Sequence, residues 1–242
     1  MYLSHLDNSK FICPICGDKR TPLLSVGSEF PILRKLHVIG AGNRKQKCNN
    51  CFSTDRDRLV YVYLRDYYQL FEKTEKLKLL HVAPESCLAN VFLNQNHIDY
   101  YPIDSFEHGY NYAPFIRNMN LLSLEYPDNY FDLTICNHVL QDIKEDVRAM
   151  TEIFRTLRKG GLAILQIPIS ELIPNIIESN EELSEGECER RYGQRFHKRI
   201  YTSEGFIERL CFAGFNVSKL KIGYLYPHNS LNNEEYIFLA KK

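Results

Sequence analysis

The feature that most limits the fold is an alternation of short apolar runs with helical patterns, which begins at Lys76 and continues almost to the end of the chain. A sheet of parallel strands joined by crossover helices has this rhythm, because each strand is followed by a segment that returns the chain to the same edge. An α/β fold with a buried parallel sheet is therefore predicted. Its predicted strands cover residues 77–82, 98–103, 131–136 and 162–167, and its helices cover 86–94 and 144–157, the second ended by a turn at 158–161.

Segments on either side of this alternation complete the predicted architecture. A connecting helix with an imperfect apolar stripe is predicted over residues 55–71. Near the C-terminus, a helix over 202–213 is stopped by Gly214, and two strands over 216–225 and 236–240 follow. These strands are expected to finish the sheet.

Four of the eight cysteines form two knuckles, Cys13-x-x-Cys16 and Cys48-x-x-Cys51. This spacing lets two thiolates from one tight turn reach the same tetrahedral Zn²⁺ ion. Two knuckles fill all four positions of the ion, so the predicted site is structural and has no open position for water or substrate. The alternatives are four ordinary cysteines or a thioredoxin-like redox pair.

The knuckles and the alternating region divide the chain into three predicted parts. Residues 1–54 form a small zinc-binding module, residues 55–72 a connecting helix, and residues 73–242 the α/β domain. Between the knuckles, residues 22–26 and 31–33 are short apolar pieces separated by turn-forming residues. This pattern suits a small ribbon.

Composition and charge exclude several classes of protein. Apolar residues make up 44% of the chain and charged residues 25%, as in ordinary globular proteins. The 30 Lys and Arg residues balance the 30 Asp and Glu residues, so no overall positive field attracts nucleic acid. Residues 1–7 have neither the basic start nor the apolar run of a signal peptide, and no later segment could span a membrane. We therefore expect a cytoplasmic protein with no membrane partner.

Seven short motifs, each weak alone, follow one another along the chain: Cys48-x-x-Cys51-x-Ser53-x-x-Arg56-x-Arg58-Leu59, Leu80-His81-Val82-Ala83-Pro84-Glu85, Tyr126-Pro127-Asp128-Asn129-Tyr130-Phe131-Asp132, Asn137-His138-Val139-Leu140, Leu157-Arg158-Lys159-Gly160-Gly161, Tyr192-Gly193-Gln194-x-x-His197-x-Arg199 and Ala213-Gly214-Phe215. Their order resembles the class I S-adenosylmethionine-dependent methyltransferases of the methyltransferase type 11 kind, over most of the chain. The resemblance implies a Rossmann-like sheet with a small N-terminal zinc-ribbon-like module, and S-adenosylmethionine as the cofactor.

In such a fold the ligand lies beyond the carboxyl ends of the parallel strands, where the strand order reverses. Asp104 follows the second strand about twenty residues beyond the first turn, the interval at which an acidic side chain commonly meets a ribose hydroxyl pair. Glu85 follows the first strand, and its carboxylate can help to hold an ammonium group. The predicted cofactor residues are His81, Ala83, Pro84 and Glu85 at the methionine part, Asp104 at the ribose and, by the resemblance, Asn120 and Leu121 at the adenine and Asn137 and His138 near the sulfonium.

Two stretches depart from the pattern of the family. His81-Val82-Ala83-Pro84-Glu85 stands where the family usually has glycines that let the backbone approach the cofactor, and proline removes a backbone donor. Gln141-Asp142 stands where the resemblance leads to a glutamate and a histidine. A non-enzymatic interaction module that kept the fold and lost the cofactor is therefore an alternative. In that case Asp104 caps a turn and His138 is a core histidine.

The segment 168–201 interrupts the alternation of strands and helices, and such an insertion commonly forms a lid or an acceptor pocket. The candidate catalytic residues are His197 in this segment and His138, and Arg199 or Tyr201 is expected to bind the acceptor. A general base is needed only if the acceptor must lose a proton. The expected partner is a small hydroxylated molecule. An RNA methyltransferase whose zinc module grips RNA is the alternative, which the zero net charge disfavours.

Overall fold

The computed structural model describes residues 10–107 and 112–242. The prediction about a signal peptide rests on residues 1–7, which lie outside the described residues. The N-terminal part holds two short strands and two helices: β1 (Leu24–Val26), α1 (Pro31–Lys35), β2 (Arg44–Lys47) and α2 (Asp55–Asp66).

The rest of the chain builds a main sheet, the helices that cover it and one small strand pair. In chain order these elements are β3 (Leu77–Val82), α3 (Ser86–Leu93), β4 (Ile98–Asp104), β5 (Arg117–Asn118), β6 (Phe131–Asn137), α4 (Asp146–Thr156), β7 (Leu157–Gln166), β8 (Ile177–Glu178), α5 (Glu185–Tyr192), β9 (Arg199–Ile200), α6 (Ser203–Phe212), β10 (Asn216–Leu220) and β11 (Ile237–Lys241).

Seven strands in the order β5-β4-β3-β6-β7-β11-β10 form the main sheet. The strands from β3 to β7 run parallel, whereas β11 pairs antiparallel with both β7 and β10. The strand order reverses between β3 and β6, because the chain first moves outward from β3 to β5 and then crosses back. Loops diverge at such a point and open a crevice. The predicted α/β class with a Rossmann-like sheet is confirmed.

Both faces of the main sheet are covered by helices. On one face, Leu80 and Leu165 pack among apolar side chains that α4 and α6 contribute. On the other face, Leu79 and Ile164 pack with α2 and α3. Full burial of such a side chain stabilises a fold by about 1.5–3 kcal/mol, so these two layers hold the sheet flat between them. Among the described helices, none is long and apolar enough to cross a membrane.

Two predicted elements are shorter in the structure. The helix predicted over 55–71 ends at Asp66. It cannot continue to residue 71, because Gln69 has a left-handed backbone with φ of 52° and a 3-10 turn follows. The strand predicted over 216–225 ends at Leu220, where its pairing with β11 ends.

The turn predicted at 158–161 follows the end of α4, as predicted, but lies within the bounds of β7, which begins at Leu157. It is an irregular stretch of that strand, because the pairing with β6 passes from Leu157 to Leu162 and Gly160 has a left-handed backbone with φ of 73°. The backbone N–H of Gly160 donates to the carbonyl of Lys242 at 2.9 Å, and the N–H of Lys242 donates to the carbonyl of Gly161 at 3.3 Å. These bonds tie the turn to the residue that follows β11.

The N-terminal part is a small ribbon in which β1 and β2 pair antiparallel. The apolar piece predicted at 31–33 is helical and lies in α1. Pro31 is the first residue of this helix, a position that favours proline because the N–H there makes no helical hydrogen bond. Helix α1 packs against α5 through Leu33 and Tyr192. The ribbon therefore faces the segment 168–201.

Helix α2 connects the ribbon to the main domain in sequence, and it also packs in the hydrophobic core of the main sheet. Its residues Leu59 and Val60 are fully buried with side chains of β3 and β6. The division into residues 1–54, 55–72 and 73–242 stays a prediction.

Arg58 joins the ribbon to the main domain. Its side chain is fully buried, and its guanidinium donates hydrogen bonds to four backbone carbonyls. These belong to Gln46 in β2 (3.0 Å), Ser53 after the second knuckle (2.7 Å), and Asn229 (2.8 Å) and Ser230 (2.6 Å) before β11. The carbonyls come from residues 46–53 and from the loop before β11, which are distant in sequence, so one side chain ties the ribbon to the main domain.

We expect Arg58→Met to lower the free energy of unfolding by about 3–5 kcal/mol, because four buried carbonyls lose their donor while the side-chain volume is nearly kept. The matched control is Arg65→Met on the same helix, where the arginine is 39% exposed. It should change stability by less than about 0.5 kcal/mol. Urea unfolding followed by circular dichroism measures both variants, and equal losses would contradict the role of Arg58.

Candidate functional site

Four cysteine thiols form one cluster in the ribbon. Cys13 Sγ lies 3.6 Å from Cys51 Sγ, Cys16 Sγ lies 3.7 Å from Cys48 Sγ, and all four sulfurs lie within 4.8 Å of one another. A disulfide bond is much shorter, about 2.05 Å. Around a tetrahedral Zn²⁺ ion with Zn–S bonds of about 2.3 Å, two sulfurs are about 3.8 Å apart. The cluster therefore fits a structural zinc ion.

A cavity of about 370 Å³ opens at the carboxyl ends of the parallel strands. This sheet-end cavity is lined by Ala83 after β3, Asp104 at the end of β4, Asn120 and Leu121 after β5, and His138 after β6. Its volume is in the range of small-molecule sites. It lies where the strand order reverses, so the structure brings these five predicted residues together around one crevice.

The lining of the sheet-end cavity combines polar and apolar side chains, and Asp104, Glu107 and Asp142 are its carboxylates. Asp104 Oδ1 accepts one long hydrogen bond, 3.3 Å, from the backbone N–H of Phe106. Apolar surface beside a few polar groups suits a ligand that has a flat base and a hydroxylated sugar. The apolar lining residues are Val82, Met119, Leu121, Leu122, Val139 and Ile143.

Four of the predicted cofactor residues, His81, Pro84, Glu85 and Asn137, do not line this cavity. His81 is fully buried, and its ring joins Glu85 Oε2 at 3.0 Å and Tyr100 Oη at 2.9 Å. Burial raises the pKa of Glu85, but the hydrogen bond and charge of His81 outweigh it and lower that pKa overall. The structure thus assigns His81 and Glu85 to a buried network next to the cavity.

Two residues of the cavity wall have left-handed backbones. Ala83 has φ of 49° and His138 has φ of 53°. For a residue with a Cβ this conformation costs about 1–3 kcal/mol, and such strain is concentrated at functional sites. In the first turn, Ala83 therefore keeps the backbone shape that the glycines of the family would permit without strain.

A second cavity, of about 310 Å³, lies between the ribbon and the main domain. Gly40 and Arg44 of the ribbon, Arg56 of α2, Gln141 after β6 and His197 of the segment 168–201 line this ribbon-side cavity. The predicted base His197 therefore lies away from the first cavity.

His138, Asp142 and Gln194 line both cavities. The two cavities therefore adjoin, and their junction is formed by these three residues. Ligands in the two cavities would come close to each other at these residues.

Buried polar atoms without hydrogen-bond partners among the described residues are concentrated near this junction. Leaving such an atom unpaired costs about 1–3 kcal/mol. Each therefore needs an explanation, such as a ligand or a bound water. The atoms are both side-chain amide atoms of Asn137, His138 Nε2, Gln141 Oε1, Asp142 Oδ1 and both carboxyl oxygens of Glu235.

Burial sets the protonation of the titratable groups at the junction. It lowers the pKa of His197 to about 4 and holds the pKa of His138 well below its usual value, so both rings are neutral near pH 7. It raises the pKa of Asp142 to about 7 and that of Glu235 to about 8. His197 Nε2 lies 3.8 Å from Asp142 Oδ1, and His138 Nε2 lies 3.9 Å from Glu235 Oε1. Carboxyl groups that titrate near neutrality can accept and return protons.

Arg199 and Tyr201, which were expected to bind the acceptor, belong to a buried structural network. Arg199 donates to Glu178 and to the backbone carbonyls of residues 140, 143 and 144. The Tyr201 hydroxyl donates to Asp146. Neither side chain lines one of the two cavities. Because these polar atoms are engaged, the two residues fasten the chain before α6 to α4.

Sequence reasoning gave no role to Asp142 and Gln194 of the junction, or to Arg56 and Glu235 near it. Arg56 belongs to a quoted motif but had no role, and Asp142 belongs to the pair that departs from the family. The position of Asp142 shortly after a central strand was a usable signal. Glu235 gave no signal, since only the folded chain brings it to His138.

Residues 88–165 match the family described as "Methyltransferase domain". The matched stretch runs from α3 into β7 and includes the strand ends that carry Asp104, Asn120 and His138. The match covers 78 of the 242 residues and is a similarity of this segment to the family. Among curated proteins, no sequence matches significantly.

Solved structures similar to this chain have low sequence identity to it. A SAM-dependent methyltransferase from Archaeoglobus fulgidus is 16% identical over 76% of this chain and 93% of that chain, with a TM-score of 0.49. One from Aquifex aeolicus is 16% identical over 74% and 90%, with a TM-score of 0.45. Phosphoethanolamine N-methyltransferase 2 of Haemonchus contortus, in complex with S-adenosyl-L-methionine, is 13% identical over 77% and 52%, with a TM-score of 0.47. Values this low do not identify a substrate.

Glu235 makes the stability of the protein depend on pH. Its side chain is 4% exposed. Burial is the main cause that raises the pKa of Glu235, and the negative charge of Asp55 raises it further. The positive charges of Arg44 and Arg56 act in the opposite direction, and the resulting pKa is about 8. A glutamate in the unfolded chain titrates near about pH 4.3. Between these values the native state keeps a proton that the unfolded state has lost, so stability falls as the pH rises.

We expect Glu235→Gln to remove this part of the fall, because the amide stays neutral at every pH. Between about pH 5.5 and 7.5, the free energy of unfolding of the wild type should fall by up to about 1 kcal/mol per pH unit more than that of the variant. Urea unfolding at several pH values measures the difference. Glu234→Gln, whose glutamate is 57% exposed, should behave as the wild type does. Parallel pH profiles for wild type and Glu235→Gln would show that the pKa is not raised.

Proposed function

We propose that this chain transfers a methyl group from S-adenosylmethionine to a small hydroxylated molecule. The observation that carries the proposal is the junction of two cavities at His138, Asp142 and Gln194. Two molecules that react with each other need adjoining sites and an open path between the reacting atoms. The match of residues 88–165 to the methyltransferase domain family supports the assignment of the first cavity to the cofactor.

The residues of the sheet-end cavity fit S-adenosylmethionine. Asp104, at the end of the second parallel strand, would accept hydrogen bonds from the ribose hydroxyls. Leu121 and Ile143 would provide apolar surface for the adenine. Ala83 and His138 would border the methionine part, with His138 nearest to the acceptor because it also lines the second cavity.

The ribbon-side cavity would hold the acceptor and orient it toward the junction. When bound, S-adenosylmethionine supplies an electrophilic methyl group and leaves as a neutral thioether. The chain contributes orientation and exclusion of water, and correct placement of two reactants can supply about 7–11 kcal/mol of the barrier reduction. The absence of a side chain at Gly40 lets His138 and Glu235 lie close to the backbone of the ribbon. A Cβ at this position would lie only 3.3 Å from both His138 Cε1 and Glu235 Oε1.

A hydroxyl acceptor must lose its proton, and the junction offers a base. Asp142 faces both cavities, has an unpartnered Oδ1 and has a pKa of about 7. We propose that Asp142 takes the proton, because a base is most effective when its pKa is near the working pH. A neighbouring hydroxyl of the acceptor would donate a hydrogen bond to the neutral ring of His138. Gln141 Nε2, which donates to Asp142 Oδ2 at 3.3 Å, would orient that carboxylate, whereas His197 Nε2, 3.8 Å from Asp142 Oδ1, lies beyond hydrogen-bond distance.

We also propose that the ribbon binds one structural Zn²⁺ ion. Its fit rests on the sulfur separations of the cluster, which match a tetrahedral site. The ion would hold the ribbon, which supplies Gly40 and Arg44 to the acceptor cavity. Thiolate ligands need reduced cysteines, in keeping with a cytoplasmic protein. The ligands would be Cys13, Cys16, Cys48 and Cys51.

The zinc-loaded protein should bind S-adenosylhomocysteine in a calorimetric titration, and Asp104→Ala should weaken binding about 10–100-fold. The physical reason is the loss of hydrogen bonds to a carboxylate, which are worth about 1.5–3 kcal/mol. The control is Asp99→Ala on the same strand, whose aspartate is 41% exposed and pairs with Lys76. It should bind as the wild type does. A wild type that binds no cofactor product would contradict the proposed function and favour a non-enzymatic module.

Metal analysis should find one zinc ion per chain in the wild type and almost none in Cys16→Ser. The variant should also melt at a lower temperature, since the binding energy of a structural zinc ion is part of the folding energy. Cys211→Ser, at an exposed cysteine outside the cluster, should keep both zinc and stability. Full zinc content in Cys16→Ser would rule out a four-thiolate site.

A further inference from the structure

Arg56 is a cation of the ribbon-side cavity whose donors the protein leaves largely unused. It is the second residue of α2, and its side chain is 29% exposed. Its Nε is shielded from solvent and has no hydrogen-bond partner among the described residues. Its ion pair with Asp57 has an Nε to Oδ1 distance of 3.7 Å, too long for a hydrogen bond.

The other arginine of this cavity is fully engaged. Arg44 donates from Nε and Nη2 to the two carboxylate oxygens of Asp55, both at 2.8 Å, and from Nη1 to the carbonyl of Gly42 at 3.0 Å. Its charge is therefore compensated within the protein. The contrast leaves Arg56 as the cation that can pair with a ligand.

Acidic side chains near Arg56 compensate its charge only in part. Burial raises the pKa of Asp142 to about 7 and that of Glu235 to about 8, so these two carboxyl groups carry only part of their negative charge near neutral pH. Burial also raises the pKa of Asp57. For Glu85, burial acts to raise the pKa, but the hydrogen bond and charge of His81 and the charge of Arg56 act to lower it, and the net shift is downward. The charge of Arg56 acts across the cavity, since it is the second cause, after burial, of the low pKa of His138.

The cavity also presents unpaired acceptors. Gln141 is 1% exposed, and its Oε1 has no partner among the described residues. Its Nε2 donates to Asp142 Oδ2 at 3.3 Å, which sets the orientation of the amide. A buried carbonyl oxygen needs a hydroxyl or amine donor, and a hydroxylated ligand in this cavity can supply it in place of a bound water.

We propose that the methyl acceptor carries an acidic group, a carboxylate or a phosphate, that pairs with Arg56, and hydroxyl groups that meet Gln141 and Asp142. This inference rests on the proposed methyl transfer. A guanidinium presents parallel N–H groups that match the oxygens of a carboxylate or a phosphate. Acidic sugars and sugar phosphates carry both kinds of group.

Ligand-detected NMR on the full-length, zinc-loaded protein with saturating S-adenosylhomocysteine tests this inference. The probes are glucuronate, glucose 6-phosphate and glucose, so that a carboxylate, a phosphate and a neutral sugar are compared. We expect one acidic probe to bind at least about tenfold more tightly than glucose, and Arg56→Gln to abolish that difference. Arg56→Lys keeps the positive charge but loses the parallel N–H groups of the guanidinium, so it should retain part of the preference for the acidic probe.

Arg34→Gln is the matched control, because Arg34 lies in the ribbon with its side chain 80% exposed and outside both cavities. It should bind the probes as the wild type does. Three probes of equal affinity, or no binding by any probe, would overturn the inference. The inference would also be overturned if Arg56→Gln bound the acidic probes as tightly as the wild type does.

Titration with S-adenosylhomocysteine separates this test from that of the proposed function. Arg56 does not line the sheet-end cavity, so Arg56→Gln should bind S-adenosylhomocysteine normally, which also shows that the variant is folded. If the wild type binds no S-adenosylhomocysteine, the proposed function fails. The probe titration without it then still decides whether Arg56 holds an anion.

Discussion

The buried guanidinium of Arg58 determines how the ribbon sits on the main sheet, and both proposed ligand sites depend on that placement. Its four carbonyl partners lie in β2, after the second knuckle and before β11. Two short strands bury little apolar surface, so a hydrophobic contact alone would fix the ribbon poorly. Because the ribbon supplies Gly40 and Arg44 to the ribbon-side cavity, the same hydrogen bonds determine the shape of that cavity.

Around the junction, the backbone is strained, and the free energy gained by burial of the hydrophobic core offsets this strain. Ala83 and His138 have left-handed backbones, and several buried polar atoms nearby have no partner among the described residues. Each such feature is unfavourable by about 1–3 kcal/mol. The two apolar layers on the main sheet make this tolerable. Strain and unpaired groups next to a cavity are the pattern expected of a site prepared for a ligand.

Local rules of sequence explain what could be predicted. The strand pattern gave the parallel sheet, and the rule that ligands bind at strand ends gave Asp104, Asn120 and His138 as neighbours of one cavity. The knuckle spacing gave the cysteine cluster. These inferences needed only a few consecutive residues, so tertiary packing did not alter them.

Features that depend on distant contacts could not be predicted in the same way. Residues 158–161 lie within the bounds of a strand, and hydrogen bonds tie them to Lys242. Arg199 and Tyr201 are residue types that often line a binding pocket, but here they donate to the buried carboxylates of Glu178 and Asp146. The ribbon-side cavity itself forms between three parts of the chain, and no short motif encodes such a space.

If methyl transfer takes place as proposed, a cofactor site and an acceptor site meet at His138. A crystal structure of the zinc-loaded protein with S-adenosylhomocysteine would decide this. We expect the ligand to fill the sheet-end cavity, with its ribose hydroxyls bonded to Asp104 and its sulfur directed past His138 toward the ribbon-side cavity. A ligand bound elsewhere, or a sulfur directed away from that cavity, would contradict this expectation.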